Sequence, residues 1–338
     1  MACAMTSENE QLSESQSNNH AICAPSDEGA LRTAFLQRRK KHKFREVPAP
    51  KLPAAVADTH AHLEMLQRPA ANLAQCALYG VEFVVAMCDP SEDAETTLAS
   101  VDAWREEAAQ LLMEADLDQY VQKVPHIRVA MGVHPHNASR YDDAMEALLA
   151  EKLHDVRICA LGEVGLDYYY DLSPRETQRE VFRRQIRLAK QAGIPLILHM
   201  REAHDEGFAI LEEEGFPEAG VLLHCFNLDS VALAPWALAG CYIAYGGPLT
   251  FKKADEVREG ATRVALNRLL TETDSPYMTP EPMRGIECGP EHVIFTAEKL
   301  CEVRGCANKA DKRQLLQTVY QNALDLLDRQ PTAWQRKW

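Results

Sequence analysis

From residue 54 onward, short apolar runs alternate with longer stretches of mixed polarity. The runs are "AAVADTH" (54–60), "VEFVVAMC" (81–88), "IRVAMGVH" (127–134), "ICALGEVGLD" (158–167), "PLILHM" (195–200), "GVLLHCF" (220–226), "CYIAYGG" (241–247) and "RLLTETDSP" (268–276). Each has the length of a strand, and the stretches between them read as helices. In "SPRETQREVFRRQIRLAKQAG" (173–193), Val181, Ile186 and Ala189 help build an apolar stripe. Ser173 is expected to cap that helix, Pro174 to take its first position and Gly193 to end it. Strands separated by helices predict parallel βαβ units.

Eight such runs in about 220 residues suit an α/β fold of the (β/α)₈ TIM-barrel type, which is typically ~250 residues long. A doubly wound open sheet is the alternative, but no GxGxxG follows the first run. The predicted organisation is an N-terminal extension over 1–53, a barrel domain over 54–328 and a tail over 329–338. "ADKRQLLQTVYQNALDLLD" (310–328) adds a C-terminal helix, expected on the outside of the barrel. Within the extension, 1–26 are polar and read as disordered. "QRRKKHKFR" (37–45) is the one dense basic run, read as a solvated tail or a short helix able to contact phosphate. "VPAPKLP" reads as a linker into the folded part.

Composition narrows the function classes. Among 338 residues, 50 acidic side chains outnumber 36 basic ones, for a net charge of −14. Nonspecific coating of nucleic acid, which needs many Lys and Arg on phosphates, is a poor fit to that balance; a local pocket for a phosphate is not. Glu92 to Asp118 holds nine carboxylates against Arg105, the pattern of a solvated helix face. No apolar stretch approaches the ~20 residues that span a bilayer, and the first residues have no apolar core of a signal peptide, so the expected location is the cytoplasm. The ten cysteines form no CxxC pair, and Cys159, Cys225 and Cys241 fall in apolar runs as reduced thiols would. A zinc site from Cys288, Cys301 and Cys306 matches no standard spacing. No obligate protein partner is inferred.

In a barrel, chemistry sits at the C-terminal ends of the strands. Those ends carry His60 and His62, His134, Glu163, His199 followed by Arg201, His224, and Asp274. His60 and His62 are two apart and so point to one face of a strand. A lone histidine at a strand end is usually a core residue, but histidines and carboxylates converging on one rim are a metal site. Six ligands exceed the three that one catalytic zinc takes from protein. Two divalent ions sharing a carboxylate fit better, and imidazole-rich ligation favours Zn²⁺ or Mn²⁺ over Mg²⁺. Two such ions ~3.5–4 Å apart serve hydrolysis. "GVHPH" supplies a second HxH, but Pro135 breaks strand geometry and puts His136 in a loop.

"DTHAHLE", "GVHPH", "GEVGLDYYYD", "QREVFRRQIRLAKQAGIPLILHMREA", "LLHCF" and "TETDSPYMTP" stand in the order found in the TatD family of metal-dependent deoxyribonucleases, which residues 55–328 resemble. The resemblance implies an amidohydrolase-type TIM barrel with metal-dependent phosphodiesterase activity. It implies that His60, His62 and Asp274 hold one metal, His199 and His224 the other, and that Glu163 bridges them. It further implies that His134 and Arg201 contact the phosphate or leaving group, with Arg284 in substrate binding. Asp274, a carboxylate at the end of the last run, is also suited by its own chemistry to accept a proton from the attacking water. The sequence departs from the family pattern after Arg284 and Gly285, where Cys288-Gly289-Pro290 replaces an Asn-Glu-Pro or Asn-Gln-Pro motif. The leading expectation is a nuclease acting on 3′ ends of single-stranded DNA. The alternatives are an amide or ester hydrolase, such as a deacylase of mischarged tRNA, and a metal-binding protein without turnover. The fourth run lacks the modified lysine of many amidohydrolases and has Glu163 in its place.

Overall fold

The computed structural model describes residues 31–40, 43–93 and 96–337. The disorder expected over 1–26 lies outside them. Two strands, β1 (Phe35–Arg38) and β2 (Phe44–Val47), precede the barrel and pair antiparallel, with Phe35 opposite Val47. The basic run therefore forms a hairpin, not a helix or a loose tail. The reason is local: Phe35 and Val47 share a register position and are both buried, whereas the cations stand on the outer positions and around the turn. The Phe35 ring lies 4.6 Å from Tyr79 and 4.9 Å from Phe295, and burying one such side chain stabilises by about 1.5–3 kcal/mol. Backbone oxygens of Arg32 and Thr33 accept hydrogen bonds from Gln75 and Tyr79, which fastens the segment to the helix Pro69–Tyr79.

The barrel strands are β3 (Val56–Ala61), β4 (Val81–Cys88), β5 (His126–Met131), β6 (Ile158–Asp167), β7 (Leu196–Arg201), β8 (Val221–Leu223), β9 (Tyr242–Tyr245) and β10 (Leu269–Thr271). They form one eight-stranded parallel sheet in sequence order, as the eight apolar runs predict. A parallel bridge between Ala61 and Ser275 joins the first strand to the segment just past the last, and His60 and His62 exchange backbone hydrogen bonds with Asp274 and Ser275 there. The barrel thus closes at the ligand-bearing ends of β3 and β10.

Phe83, Val85, Ile197, Leu222, Ala244 and Leu270 fill the interior. The helix Lys309–Leu327, expected on the outside, packs Leu326 and Leu327 into that same interior cluster. Asn322 on this helix donates to the carbonyls of Leu266 and Leu269 at the start of β10, so the helix covers the N-terminal mouth of the barrel. With one mouth stoppered, chemistry is left to the other. The middle of the acidic stretch forms the helix Thr96–Glu114, with Asp102, Glu106 and Glu107 exposed and Val101, Ala108 and Leu112 buried.

The helix Arg175–Ala192 starts later than the sequence predicts. Pro174 is its N-cap and Ser173 does not cap it; the Ser173 hydroxyl instead donates to the His136 carbonyl and accepts from the Ser139 N–H. Gly193 ends the helix at φ 68°, a left-handed conformation that costs glycine little. Gly165 is required for another reason. A Cβ there would lie 2.1 Å from the His199 carbonyl oxygen, so only glycine lets β6 lie this close to β7.

Candidate metal centre

Every strand-end residue picked out by the metal reading reaches one cluster, and Glu163 stands at its middle. Burial explains why β6 can present it: all ten residues of the strand are buried, and Glu163 itself is only 7% exposed. One carboxylate oxygen, Oε2, faces His60 Nε2 at 3.2 Å and His62 Nε2 at 3.6 Å. The other, Oε1, faces His199 Nδ1 at 2.6 Å, His224 Nε2 at 2.8 Å and His134 Nε2 at 3.6 Å. Asp274 Oδ1 joins the first side, 3.8 Å from His60 Nε2 and 3.7 Å from His62 Nε2.

Three triplets of donor atoms, each within 4.8 Å of one another, emerge: His60–His62–Asp274, His60–Glu163–His224 and His134–Glu163–His199. His134 therefore stands as close to Glu163 as His62 does, and it can donate to an ion as well as reach a substrate. His136, placed in a loop by the sequence, lies in the 3₁₀ turn Pro135–Arg140 and belongs to none of these triplets. Among the described residues no cysteine belongs to one either; Cys288, Cys301 and Cys306 are free thiols.

The donor set suits a cation. The His60 side chain is fully buried, yet among the described residues neither ring nitrogen makes a well-aligned hydrogen bond, Nε2 only facing Glu163 at 3.2 Å, and His224 Nδ1 is likewise without one. Burying polar nitrogens this way is costly unless something else satisfies them. Burial, then the neighbouring His224, pushes His60 down to about 3, and burial with His199 takes His134 down to about 4. Burial alone would raise Glu163, but His224, His60 and His134 hold it well below the usual carboxylate range. His60 and His134 are thus held neutral beside an ionised carboxylate, as metal ligation requires. Against burial, Glu163 and Glu272 hold His224 well above the usual imidazole range, and Asp167 with Glu163 raises His199, charges that a bound cation would replace. Burial pushes Asp274 up to about 6. Burial opposes charge on His62, yet Glu64 at 3.5 Å, with Glu163 and Asp274, draws it up to about 9.

A second layer of carboxylates, absent from the sequence reading, holds these groups. Asp58 accepts from the His60 and Thr273 backbone N–H groups and from the Thr273 hydroxyl, which ties β3 to the segment bearing Asp274. Asp167 Oδ2 sits 3.1 Å from His199 Nε2 and 2.8 Å from His136 Nε2, fixing the outer nitrogen of a candidate ligand. Glu272 Oε1 lies 3.6 Å from His224 Nδ1 and accepts from the Cys225 N–H. Asp89 accepts from the His134 N–H and from Asn137. Three of these carried a readable signal: Asp58-x-His60-x-His62 and Glu272-x-Asp274 keep the period of two that puts side chains on one face of a strand, and Asp167 ends the same run as Glu163. Asp274 and Cys225 are held at φ 62° and 47°, a strained region for residues with side chains and one that clusters at functional sites.

Arg201, the last residue of β7, lays its guanidinium over Tyr169 at 4.1 Å and Tyr170 at 4.7 Å. Arg284 is exposed in the segment after β10 and lies 4.0 Å over Phe251. The departure at Cys288-Gly289-Pro290 has a structural counterpart. Buried Glu291 reaches back so that its carboxylate occupies the space a Gly289 side chain would fill, and it accepts from Asn72 at 3.1 and 3.2 Å.

Comparison with known proteins adds four findings. A family model described as TatD related DNase matches residues 57–328. The chain is 34% identical over 260 residues to the Escherichia coli protein YcfH, named as an uncharacterized metal-dependent hydrolase, covering 75% of this chain and 89% of that one. It is 28% identical over 272 residues to human TATDN2, named as a 3′-5′ RNA nuclease, covering 75% of this chain and 33% of that protein. The solved structure of the E. coli TatD homologue YjjV superposes with a TM-score of 0.66 at 24% identity, covering 82% of this chain and all of that one. That likeness carries the fold. Among the described residues, no helix is long and apolar enough to cross a membrane.

Proposed function

This chain belongs to the TatD-related DNase family, and from that premise we propose that it is a metal-dependent hydrolase that uses two divalent ions to remove nucleotides from the 3′ end of single-stranded nucleic acid. One observation carries the reading: Glu163 turns one oxygen to His60 and His62 and the other to His199, His224 and His134. A single structural zinc needs no such two-sided carboxylate. His60, His62 and Asp274 would hold one ion, His199 and His224 the other, and Glu163 both. The bound ions would supply Lewis acidity and a nucleophile at neutral pH.

The chain's own groups do the rest. Asp274 faces the space beside His60 and His62, and its carboxylate, made more basic by burial, is suited to take the proton of the attacking water. Arg201 offers a planar fork that matches two phosphate oxygens, and Tyr169 and Tyr170 hold that fork in place. His134 Nε2, anchored through its backbone by Asp89, is positioned to meet the leaving oxygen. Arg284 would contact the strand further out on the rim.

DNA is the substrate suggested by the family description, and RNA gains support from the name of the human relative. The test is digestion of 5′-labelled single-stranded DNA and RNA of one sequence, with Mn²⁺ or with EDTA. The proposal expects a ladder shortening from the 3′ end only when metal is present. Inert DNA and RNA alongside active deacylation of an aminoacyl-tRNA would move the function to amide or ester hydrolysis.

A further inference from the structure

Several cations on this protein are neutralised at short range: Arg128 by Asp328, Arg157 by Asp155, Arg183 by Glu213, Lys312 by Glu298. The hairpin β1–β2 instead gathers cations that have no such partner close together on one short element. Arg39, Lys40, Lys43 and Arg45 are exposed there, with Arg38 half-buried beside them, and among the described residues none of the five forms an ion pair. Among the described residues Arg45 has the neutral Gln37 as its side-chain hydrogen-bond partner, and Glu46 is the lone carboxylate on these two strands. In a chain of net charge −14 this is a local positive field.

The hairpin is also built, not loose. Phe35 is 4% exposed, and its ring packs 5.1 Å from His292, which directly follows Glu291 in the segment after β10. It thereby rests on the helices that follow β3 and β10, the strands that bring His60, His62 and Asp274 together. The family match starts at residue 57, so this hairpin lies outside the shared barrel.

We propose that the β1–β2 hairpin is a nucleic-acid-binding arm that holds the sugar-phosphate backbone of a single strand away from the metal centre. This rests on the nuclease reading for its substrate class. Unpaired cations spaced along a two-stranded ribbon suit a polyanion, since each can release one condensed counterion from it. Backbone pairing of Phe35–Arg38 with Phe44–Val47 disfavours the other use of a basic run, capture by an acidic protein as an extended peptide.

The test compares the full chain with its R39Q/K40Q/K43Q/R45Q variant. Binding of a fluorescein-labelled single-stranded 30-mer is read by anisotropy in EDTA, where no hydrolysis interferes. At roughly 0.7 per cation for a single strand, the slope of log K against log salt should fall by about 3, and the variant should bind about 10²–10³-fold more weakly at 0.1 M salt. R39K/K40R/K43R/R45K, which keeps the charges, should bind like the natural chain. Hydrolysis of bis(p-nitrophenyl) phosphate, which carries one phosphate, should be equal in all three. Equal binding and equal salt slope in the glutamine variant would overturn the arm, whatever the activity assays show. So would a preference of the natural chain for poly-glutamate over the 30-mer. A natural chain that binds the 30-mer through these cations but hydrolyses no nucleic acid would keep the arm and refute the nuclease.

Discussion

Replacing Glu163 by Gln is the sharpest perturbation of the centre. Gln is isosteric, so the packing of β6 is kept, but the charge is lost and one acceptor oxygen becomes an N–H₂ donor. Two short contacts of the carboxylate, at 2.6 Å to His199 and 2.8 Å to His224, belong to one side of the cluster, and the 3.2 Å contact to His60 belongs to the other. Those contacts are between candidate ligand atoms and give way to the ions on binding, so the effect on affinity comes from the lost bridging charge. Removing a residue that only supports a ligand costs about 10–100-fold in metal affinity, and loss of an anionic ligand shared by two ions should cost at least the upper end of that, about 100-fold. The loss should reach both ions, because the carboxylate also offsets repulsion between them. Isothermal titration of metal-free protein with Mn²⁺ reads the affinities, and circular dichroism checks that the barrel is intact. Two ions bound by Glu163→Gln at unchanged affinity, with near-normal hydrolysis, would refute the bridging role.

Other substitutions separate metal binding from chemistry. Asp274→Asn keeps an oxygen for the ion but removes the proton acceptor; it should retain metal, lose hydrolysis by ~10²-fold or more, and not recover in excess Mn²⁺ or Zn²⁺. Recovery would reduce Asp274 to a ligand. Arg201→Ala should raise KM and lower kcat for a single strand with metal content unchanged; loss of metal would show that Arg201 supports the centre itself. Asp167→Asn should weaken metal binding about 10–100-fold by freeing the outer nitrogen of His199, although Asp167 belongs to none of the donor triplets. Unchanged affinity in metal titration would make Asp167 a partner of His136 alone.

The barrel was legible because its strands are continuous apolar runs, and the strand ends stood out because polar residues interrupt them there. His60, His62 and Asp274 could be read from the same two facts. The second carboxylate layer was harder: Asp58, Asp167 and Glu272 are fully buried and look like parts of apolar strands rather than surface acids. Their cost is met by hydrogen bonds from segments far off in sequence, such as Thr273 to Asp58, and a single run of sequence does not display such partners. The hairpin was hidden by its composition. Five apolar or aromatic positions among Phe35, Leu36, Phe44, Val47 and their contact Phe295 decide it, whereas the cations between them carry the visible pattern. The helix Lys309–Leu327 was recognised but misplaced, since an apolar stripe fixes that a face is buried and not which mouth of a barrel it covers.

A centre of two ions bridged by Glu163 is put to the test by counting bound ions against activity. Metal-free protein would be titrated with Mn²⁺ or Zn²⁺ while bound metal and cleavage of a labelled single strand are read on the same samples. Binding should saturate at two ions per chain, with cleavage rising as the second equivalent is taken up and vanishing in EDTA. Saturation at one ion with full activity, or cleavage that persists without metal, would contradict it.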